Sequence, residues 1–258
     1  MPTALVTGAT SGIGAAFTRR LAADGYRLVV VARDAAGLAE REGELLASGA
    51  PQVQVLPADL TDPVQRQRVA DRLSDPGRPV DLLVNNAGRG IGKGFAMTSQ
   101  QELRQQLELN VTAVMLLTHA ALPGMTARGH GGIINVASIA GLLPGRGSTY
   151  SASKAWVIAF SEGLAMACNG SGVRIQALCP GFVRTEFHRR AGIDMANKPG
   201  WMYVDVDKLV AASLADLRAN RPLSIPGRLY SSIAAAAKLA PRSVVRMVAN
   251  SVDRKPRS

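Results

Sequence analysis

The stretch TALVTGATSGIG, residues 3–14, decides the fold, because an apolar strand pattern runs directly into a glycine-rich turn and then into a helix. Gly8 permits the tight turn, Gly12 leaves room for a pyrophosphate near the backbone, and Gly14 lets the helix pack closely on the strand. Free N–H groups and about half a positive charge at the helix start favour phosphate. We therefore predict that the turn binds a dinucleotide rather than being a plain turn. Its candidate binding residues are Gly8, Thr10, Ser11, Gly12, Ile13 and Gly14.

Short β-branched runs alternate with longer helical patterns along the rest of the chain. The predicted strands cover residues 3–7, 27–32, 52–56, 80–84, 131–136 and 173–178, and the predicted helices cover residues 12–24, 35–48, 62–74, 100–128 and 148–170. Most of these strands are apolar on both faces, which is typical of a parallel sheet covered by helices. The pattern predicts the α/β class, with a Rossmann-like doubly wound parallel sheet, helices on both faces, and residues 1–258 in a single domain.

Residues 186–204 interrupt this alternation with an irregular stretch that contains glycine and proline. A further helix is predicted over residues 205–219 and a short strand near 222–226. Ligands of doubly wound sheets bind beyond the carboxyl ends of the strands, and a segment after the sixth strand lies at that rim. We therefore predict that residues 186–228 form a substrate lid that sets specificity.

Composition excludes several classes of protein. Of the 258 residues, 47% are hydrophobic and 19% are charged, so the chain can bury a full core. Aromatic residues make up only 4%, too few for stacking platforms along single-stranded nucleic acid. His119, His130 and His188 lack ligand spacing, and Cys168 and Cys179 are interpreted as inert buried thiols, so we predict no metal site.

The location of the protein is predicted from its opening residues and its hydropathy. The chain opens directly into a strand pattern, which is not typical of a signal peptide. No apolar stretch reaches the roughly 18 residues that are needed to span a bilayer. We therefore expect a cytoplasmic protein.

The net charge of +11 is concentrated at the carboxyl end, since residues 218–258 hold nine basic side chains and one acidic side chain. The tail over residues 229–258 is predicted to form two short amphipathic helices, and Leu229, Ile233 and Ala237 form the apolar stripe of the first. The tail either attaches to an anionic membrane surface, at about 1 kcal/mol per basic residue, or packs on its own domain. We favour packing on the domain, and we expect no nucleic-acid partner because the chain has no groove-reading motif.

The end of the second predicted strand bears on which dinucleotide binds. An acid at the last strand position would bond the ribose 2′-hydroxyl and repel a 2′-phosphate, but Ala32 occupies that position and Arg33 follows it. Arg33 can form charge-assisted hydrogen bonds to a 2′-phosphate, each worth about 1.5–3 kcal/mol. Asp34 lies where the next helix needs an N-cap. We predict NADP(H) rather than NAD(H), the alternative being that Arg33 is only a solvated side chain.

Tyr150 and Lys154 open a predicted helix four residues apart, so that their side chains share one face. One positive charge at roughly 5 Å, at an effective dielectric of about 20, lowers a tyrosine pKa by about two units. An oxidised nicotinamide nearby would add to this, so we predict that Tyr150 exchanges protons at about pH 7–8, where general acid–base catalysis is efficient. Ser138 ends the fifth strand, where its hydroxyl would face a bound carbonyl. Asn110 is an amide among apolar neighbours that is expected to hold a helix kink.

A set of motifs occurs along residues 3–185 in a fixed order. The motifs are Thr7-Gly8-x-x-x-Gly12-x-Gly14, Asp59-Leu60, Asn85-Asn86-Ala87-Gly88, Asn110, Ser138, Tyr150-x-x-x-Lys154 and Pro180-Gly181. With these motifs the sequence closely resembles the short-chain dehydrogenase/reductase family. Ser138 and Tyr150 are 12 residues apart, one fewer than is usual in that family.

The resemblance implies roles for the matching residues. Tyr150 would be the general acid–base, Ser138 would steady the substrate oxygen, and Lys154 would bond the nicotinamide ribose and lower the Tyr150 pKa. Asn110 would support a proton relay, and Arg33 matches the arginine of NADP-preferring members. The other residues, which would contact the adenine, line the cleft or wrap the nicotinamide end, are Asp59, Leu60, Asn86, Ala87, Gly88, Pro180, Gly181, Val183 and Thr185.

The expected function is that of an NADP(H)-dependent oxidoreductase that interconverts a ketone or aldehyde and an alcohol by hydride transfer. The alternative is a non-catalytic dinucleotide-sensing protein that kept the fold. Five apolar residues in and just before the lid region would form a wall for an apolar small-molecule substrate, or would be ordinary lid packing. They are Phe182, Phe187, Trp201, Met202 and Tyr203.

Small residues recur at helical spacing after Tyr150, namely Ala152, Ala155, Ala159 and Gly163. They permit close packing of helices, either within the domain or across a two-fold axis. Since the family resemblance implies pairing through the fourth and fifth long helices, we predict a homodimer or homotetramer.

Overall fold

The computed structural model describes residues 1–142, 149–187 and 199–239 of the chain. The strands are β1 (Thr3–Thr7), β2 (Arg27–Ala32), β3 (Val53–Pro57), β4 (Leu82–Asn85), β5 (Gly131–Val136), β6 (Val173–Leu178), β7 (Phe182–Val183), β8 (Tyr203–Val204) and β9 (Leu223–Ser224). The α-helices are α1 (Gly12–Ala23), α2 (Ala35–Ala47), α3 (Pro63–Ser74), α4 (Gln100–Leu107), α5 (Ala113–Arg128), α6 (Thr149–Ala167), α7 (Val206–Arg218) and α8 (Arg228–Leu239).

Within the described residues, seven strands form one parallel sheet in the order β3-β2-β1-β4-β5-β6-β9. Val6 of β1 pairs with Val30 of β2 on one side and with Val84 of β4 on the other. The strand order therefore reverses between β1 and β4, and this reversal opens a crevice beyond their carboxyl ends. The predicted doubly wound α/β fold is confirmed, and β9 is the short strand predicted near 222–226.

Helices cover both faces of the sheet because the strands are apolar on both sides. Phe17 of α1 and Leu209 of α7 are fully buried on one face, with Val30 of β2 in the same cluster. Leu117 of α5 is buried on the other face, in the cluster that contains Val29. At about 25 cal/mol per Å² of apolar surface removed from water, these two layers supply the main driving force for folding.

The segment Gln100–Arg128, predicted as one helix, is continuous but changes its hydrogen-bond pattern at a π-turn over Glu108–Thr112. Among the described residues it is long and apolar enough to cross a membrane by length and composition. The expectation that no stretch has this property is therefore wrong. The segment packs on α3 and buries Leu117 in the core, as a core helix does.

Helix α8 packs on the domain with a different face from the predicted one. Leu229 and Ile233, assigned to its apolar stripe, are 36% and 37% exposed, whereas Tyr230 and Ala234 are buried. The prediction of the buried stripe is wrong because the Tyr230 ring fits a slot beside Gly181, and this fixes the rotation of the helix. The second predicted helix of the tail lies outside the described residues, as do residues 143–148 and 188–198.

Candidate active site

The predicted site residues lie together along one rim of the sheet. They follow the carboxyl ends of β1 to β6 or lie on the π-turn and α6. In a parallel sheet these ends share one edge, so residues far apart in sequence meet there.

In the glycine turn after β1, the backbone segments lie so close together that side chains at the glycine positions would clash. Gly8 and Gly12 have φ values of +66° and +56°, a region that side chains disfavour. A Cβ on Gly14 would lie 2.2 Å from the Gly8 carbonyl oxygen, and a Cβ on Gly12 would lie 3.1 Å from the Thr185 Cβ. Ser11 is the N-cap of α1, but its side chain makes no capping hydrogen bond. Bare backbone and free helix N–H groups of this kind fit a pyrophosphate.

Thr7 and Asn86 brace this turn from beneath. The Thr7 hydroxyl accepts hydrogen bonds from the backbone N–H groups of Asn86, at 2.9 Å, and Ala87, at 3.0 Å. The Asn86 amide nitrogen donates to the carbonyl oxygens of Thr7, at 2.9 Å, and Gly8, at 3.2 Å. The strand ends β1 and β4 are thereby tied together. Sequence reasoning missed this role of Thr7, although Thr7 lies inside the first motif.

The far end of the cleft, after β2 and β3, carries the charged residues of the cofactor prediction. The Arg33 guanidinium is 73% exposed and lies 3.9 Å from the Asp59 carboxylate. Asp34 caps α2 by accepting a hydrogen bond from the Gly37 N–H at 3.1 Å, as predicted. Arg41, which the sequence argument did not single out, donates to the Thr10 carbonyl oxygen at 3.1 Å. Of these two guanidinium groups, that of Arg41 contacts the glycine turn, and that of Arg33 lies near Asp59.

Asn110 lies fully buried in the π-turn between α4 and α5. Its amide nitrogen donates to the Arg89 carbonyl oxygen at 2.9 Å and to the Ser153 hydroxyl at 3.3 Å. Its carbonyl oxygen accepts from the Arg89 N–H at 2.9 Å. Local π geometry is frequent at functional sites, since it turns a side chain out of the regular helix. Here it joins the loop after β4 to α6.

Ser138 and Tyr150 meet in the structure. Their side chains form a hydrogen bond, although the segment between them is one residue shorter than usual. The Ser138 hydroxyl also accepts from the Ala140 N–H at 3.1 Å, which fixes its orientation. The Phe187 ring lies 5.5 Å from the Tyr150 ring, centroid to centroid.

Lys154 shares the helix face of Tyr150, but its ammonium group is directed elsewhere. The Lys154 Nζ donates to the Val136 carbonyl oxygen at 2.7 Å and lies 5.8 Å from the centroid of the Tyr150 ring. A Cβ on Gly88 would lie 3.6 Å from this Nζ and 3.3 Å from the Asn110 Oδ1. Lys154, Asn110 and the loop after β4 therefore converge at one place.

The predicted lowering of the Tyr150 pKa is wrong for the protein without a cofactor. Burial raises the pKa of Tyr150 to about 12, and only the hydrogen bond from Ser138 opposes this shift. Burial also lowers the pKa of Lys154 to about 8. The sequence argument counted the lysine charge but not the loss of water around both groups. Cys179, predicted to be an inert buried thiol, is buried close enough to act electrostatically on both.

The loop after β6 joins the segment of Ser138 to the rest of the rim. The Pro180 carbonyl oxygen accepts a hydrogen bond from the N–H of Ile139, the residue after Ser138, at 3.0 Å. Val183 is buried, and β7 pairs with β8 in a short parallel ribbon. The predicted wall residue Trp201, by contrast, is 71% exposed.

Fold and rim together define a dinucleotide-binding protein that has a serine, a tyrosine and a lysine beside its cofactor cleft. Residues 2–195 match the family model described as short chain dehydrogenase. The chain belongs to this family.

Relatives and solved structures agree with this assignment. The chain is 37% identical to a ketoacyl reductase, HetN, of Nostoc sp., over 70% of this chain and 63% of that protein. It is 42% identical to a putative ketoacyl reductase of the granaticin polyketide synthase of Streptomyces violaceoruber, over 73% of this chain and 70% of the relative. A short-chain dehydrogenase of Sphingobium yanoikuyae, solved with NADPH, is 34% identical and superimposes with a TM-score of 0.85, over 100% of this chain and 98% of that one.

These findings place the chain among the oxidoreductases that act on alcohol and carbonyl groups with a nicotinamide cofactor of the NADP type. The non-catalytic dinucleotide sensor, kept as the alternative from sequence, has no support from any of these comparisons.

Proposed function

We propose that this protein is a carbonyl reductase that converts a ketone or aldehyde into an alcohol, and the reverse, with Tyr150 as the general acid–base. One observation carries the proposal. The hydrogen-bonded pair Ser138 and Tyr150 lies beside a buried Lys154 at the same rim as the glycine turn. A nucleotide-binding site alone does not need a partly buried phenol and a buried ammonium, which lose favourable contacts with water on folding.

The reaction needs a hydride donor, which the reduced nicotinamide supplies when the cofactor is bound. Tyr150, with its pKa raised to about 12 by burial, is protonated at neutral pH and holds the proton that a carbonyl oxygen needs. Ser138 lies within hydrogen-bond distance of the same hydroxyl, so both residues can bond one substrate oxygen. Their preorganised hydroxyl groups stabilise the charge that develops on that oxygen.

Lys154 has two roles in this proposal. Its ammonium charge stabilises the tyrosinate that forms after proton transfer. With its pKa lowered to about 8, it can also exchange a proton close to neutral pH. Asn110 lies near Lys154 and Gly88, where it holds the loop after β4 and supports the return of a proton to Tyr150.

The cofactor would be held along the whole rim. The glycine turn would take the pyrophosphate, Asp59 and Leu60 the adenine side, Asn86 to Gly88 the middle of the cleft, and residues 180–185 the nicotinamide end. We propose that NADP(H) is preferred over NAD(H). The position of Arg33, exposed and directly after β2, supports this preference, as does the likeness to a structure solved with NADPH.

The substrate would be a small carbonyl or alcohol with an apolar part. Phe187 supports this proposal, because its ring packs beside the Tyr150 ring. Two of the relatives are named ketoacyl reductases, which act on carbonyl groups of the same chemical class. Residues 186–228, which include Phe187, would then act as the specificity region.

We also propose a cytoplasmic homodimer or homotetramer. The small residues Ala152, Ala155, Ala159 and Gly163 are all exposed along one side of α6. Met115 and Leu116 of α5 are exposed as well, at 38% and 39%. Exposed small and apolar side chains on neighbouring helices are typical of a face that pairs with a second copy.

The proposed function is tested by following nicotinamide absorbance with the full-length protein and a panel of ketones and aldehydes of increasing apolar size. NADPH and NADH are compared at each step. The expected result is oxidation of the reduced cofactor with at least one carbonyl compound and a lower KM for NADPH. Failure of every carbonyl and alcohol in both directions, by protein that binds NADPH, would show that the protein does not catalyse this reaction.

A further inference from the structure

One side chain of α8 joins the two segments that form the ribbon of β7 and β8. The Tyr230 hydroxyl accepts a hydrogen bond from the Phe182 N–H at 3.2 Å and donates one to the Met202 carbonyl oxygen at 2.6 Å. Phe182 opens β7, and Met202 is the residue directly before β8. One buried hydroxyl therefore satisfies a backbone donor and a backbone acceptor from segments 20 residues apart in sequence.

The backbone leaves room for the Tyr230 ring. A Cβ on Gly181 would lie only 2.1–2.4 Å from three atoms of this ring, so no other residue fits at Gly181 without displacing it. Gly227, one turn before Tyr230, has a φ of +100°. The Phe182 and Tyr230 rings pack edge-to-face, with their centroids 6.4 Å apart. The ring is thus held by close packing as well as by its hydroxyl.

The protonation state of Tyr230 supports this arrangement. Burial raises the pKa of Tyr230 above the usual value of a tyrosine, while the hydrogen bond from Phe182 opposes the shift. The hydroxyl therefore keeps its proton at neutral pH and remains a donor to the Met202 carbonyl oxygen.

We propose that Tyr230 is a positioning residue for the nicotinamide end of the cofactor, an inference that rests on the proposed function. It acts through the loop of Pro180 and Gly181. That loop is fixed on one side by the hydrogen bond between Pro180 and Ile139, next to Ser138, and on the other side by Tyr230. Helix α8 therefore positions a loop of the active site in addition to packing on the domain.

The test compares Tyr230→Phe, which keeps the ring but loses both hydrogen bonds, with wild-type protein and with Tyr26→Phe. Tyr26 is a partly buried tyrosine directly before β2, at the amino end of that strand and away from the rim. Two ligands are titrated without any carbonyl substrate: NADPH, and adenosine 2′,5′-bisphosphate, which lacks the nicotinamide end. Hydrogen exchange of the Phe182 amide is followed in parallel.

The expected result in Tyr230→Phe is an NADPH Kd that rises about 3- to 10-fold, because part of the free energy of the two lost hydrogen bonds must then be recovered on binding to order the loop. The Kd of adenosine 2′,5′-bisphosphate stays unchanged, and the Phe182 amide exchanges faster. Tyr26→Phe changes none of the three. Because only the longer ligand reaches the loop after β6, a general loss of stability cannot produce this difference between the two ligands.

Three results would overturn the inference. The first is an NADPH Kd in Tyr230→Phe equal to that of wild type, and the second is an equal loss of affinity for both ligands. The third result needs no variant. It is rapid, unprotected hydrogen exchange of the Phe182 amide in the wild-type protein without any ligand. Wild-type protein that binds neither ligand would instead contradict the proposed function, and this inference with it.

Discussion

Two polar clusters lie at the same rim of the sheet, and they affect stability in opposite directions. In the cradle cluster, Thr7 and Asn86 satisfy each other's backbone groups and tie β1 to β4. In the proposed catalytic cluster, formed by Ser138, Tyr150 and Lys154, burial shifts the pKa of Tyr150 to about 12 and that of Lys154 to about 8. The first cluster stabilises the fold, whereas the second holds its groups in surroundings that disfavour their charged forms. The residues that we propose for catalysis are therefore ones that selection for stability alone would replace.

The largest expected effect separates the chemistry of the catalytic cluster from its stability. Tyr150→Phe removes the proton donor but keeps the ring that packs beside Phe187. We expect carbonyl turnover to fall by about 10²–10⁴-fold, the usual contribution of general acid catalysis. The Kd of NADPH should change little. Steady-state kinetics and a binding titration measure both values, with Tyr26→Phe as the control. Turnover within about tenfold of wild type would exclude Tyr150 as the acid.

The second effect tests whether Lys154 destabilises the cofactor-free protein. Its pKa is about 8 in the folded chain and near 10.5 when exposed, so between these values the unfolded chain binds a proton that the folded chain does not. Stability should therefore rise by about 3 kcal/mol as the pH increases from 8 to 10.5, because one pKa unit corresponds to about 1.4 kcal/mol. Below pH 8 this group adds no slope.

Lys154→Met removes the titrating group, so urea unfolding of this variant should lack that rise. Lys208→Met, at an exposed lysine of α7, is the matched control and should keep the wild-type pH profile. Identical pH profiles for wild type and Lys154→Met would show that Lys154 keeps an ordinary pKa in the folded protein.

The third effect concerns the cradle cluster, whose side chains stabilise the folded protein, whereas the buried Lys154 destabilises it. Asn86→Ala removes the two hydrogen bonds to the carbonyl oxygens of Thr7 and Gly8 and leaves these acceptors without their partner. We expect the free energy of unfolding to fall by about 2 kcal/mol and the affinity for NADPH to weaken as the glycine turn loosens. Asn169→Ala, at an exposed position after α6, should be neutral. Equal stability of Asn86→Ala and wild type, by urea unfolding, would refute the bracing role of Asn86.

The sequence predicted the features that depend on adjacent residues, and it did not predict those that depend on packing between distant residues. The glycine turn, the strands and the N-cap at Asp34 follow from local patterns, because a tight turn or a helix start needs particular residues at adjacent positions. The pKa of Tyr150 could not be predicted in this way, since desolvation depends on everything packed around the ring. The buried face of α8 was also mispredicted, because Tyr230 finds its slot beside Gly181, 49 positions earlier in the chain.

The smallest expected effect concerns Arg33, at the end of the cleft farthest from Tyr150. Since its side chain is 73% exposed and lies 3.9 Å from Asp59, water and this carboxylate weaken any bond to a 2′-phosphate. We therefore expect Arg33→Ala to raise the KM for NADPH by only about tenfold, the low end of a charge-assisted hydrogen bond, and to leave the KM for NADH unchanged. The difference between the two cofactors should shrink as salt increases.

Arg27→Ala is the matched control for this prediction, because Arg27 is an exposed arginine at the opposite end of the same strand β2. It removes one positive charge from the protein without approaching the rim, so it should leave both KM values unchanged. If Arg33→Ala raised the KM values for NADPH and NADH equally, Arg33 would support the cleft in general rather than recognise a phosphate. An unchanged KM for NADPH would mean that Arg33 is only a solvated side chain and that Arg41, which already contacts the glycine turn at Thr10, is the next residue to test.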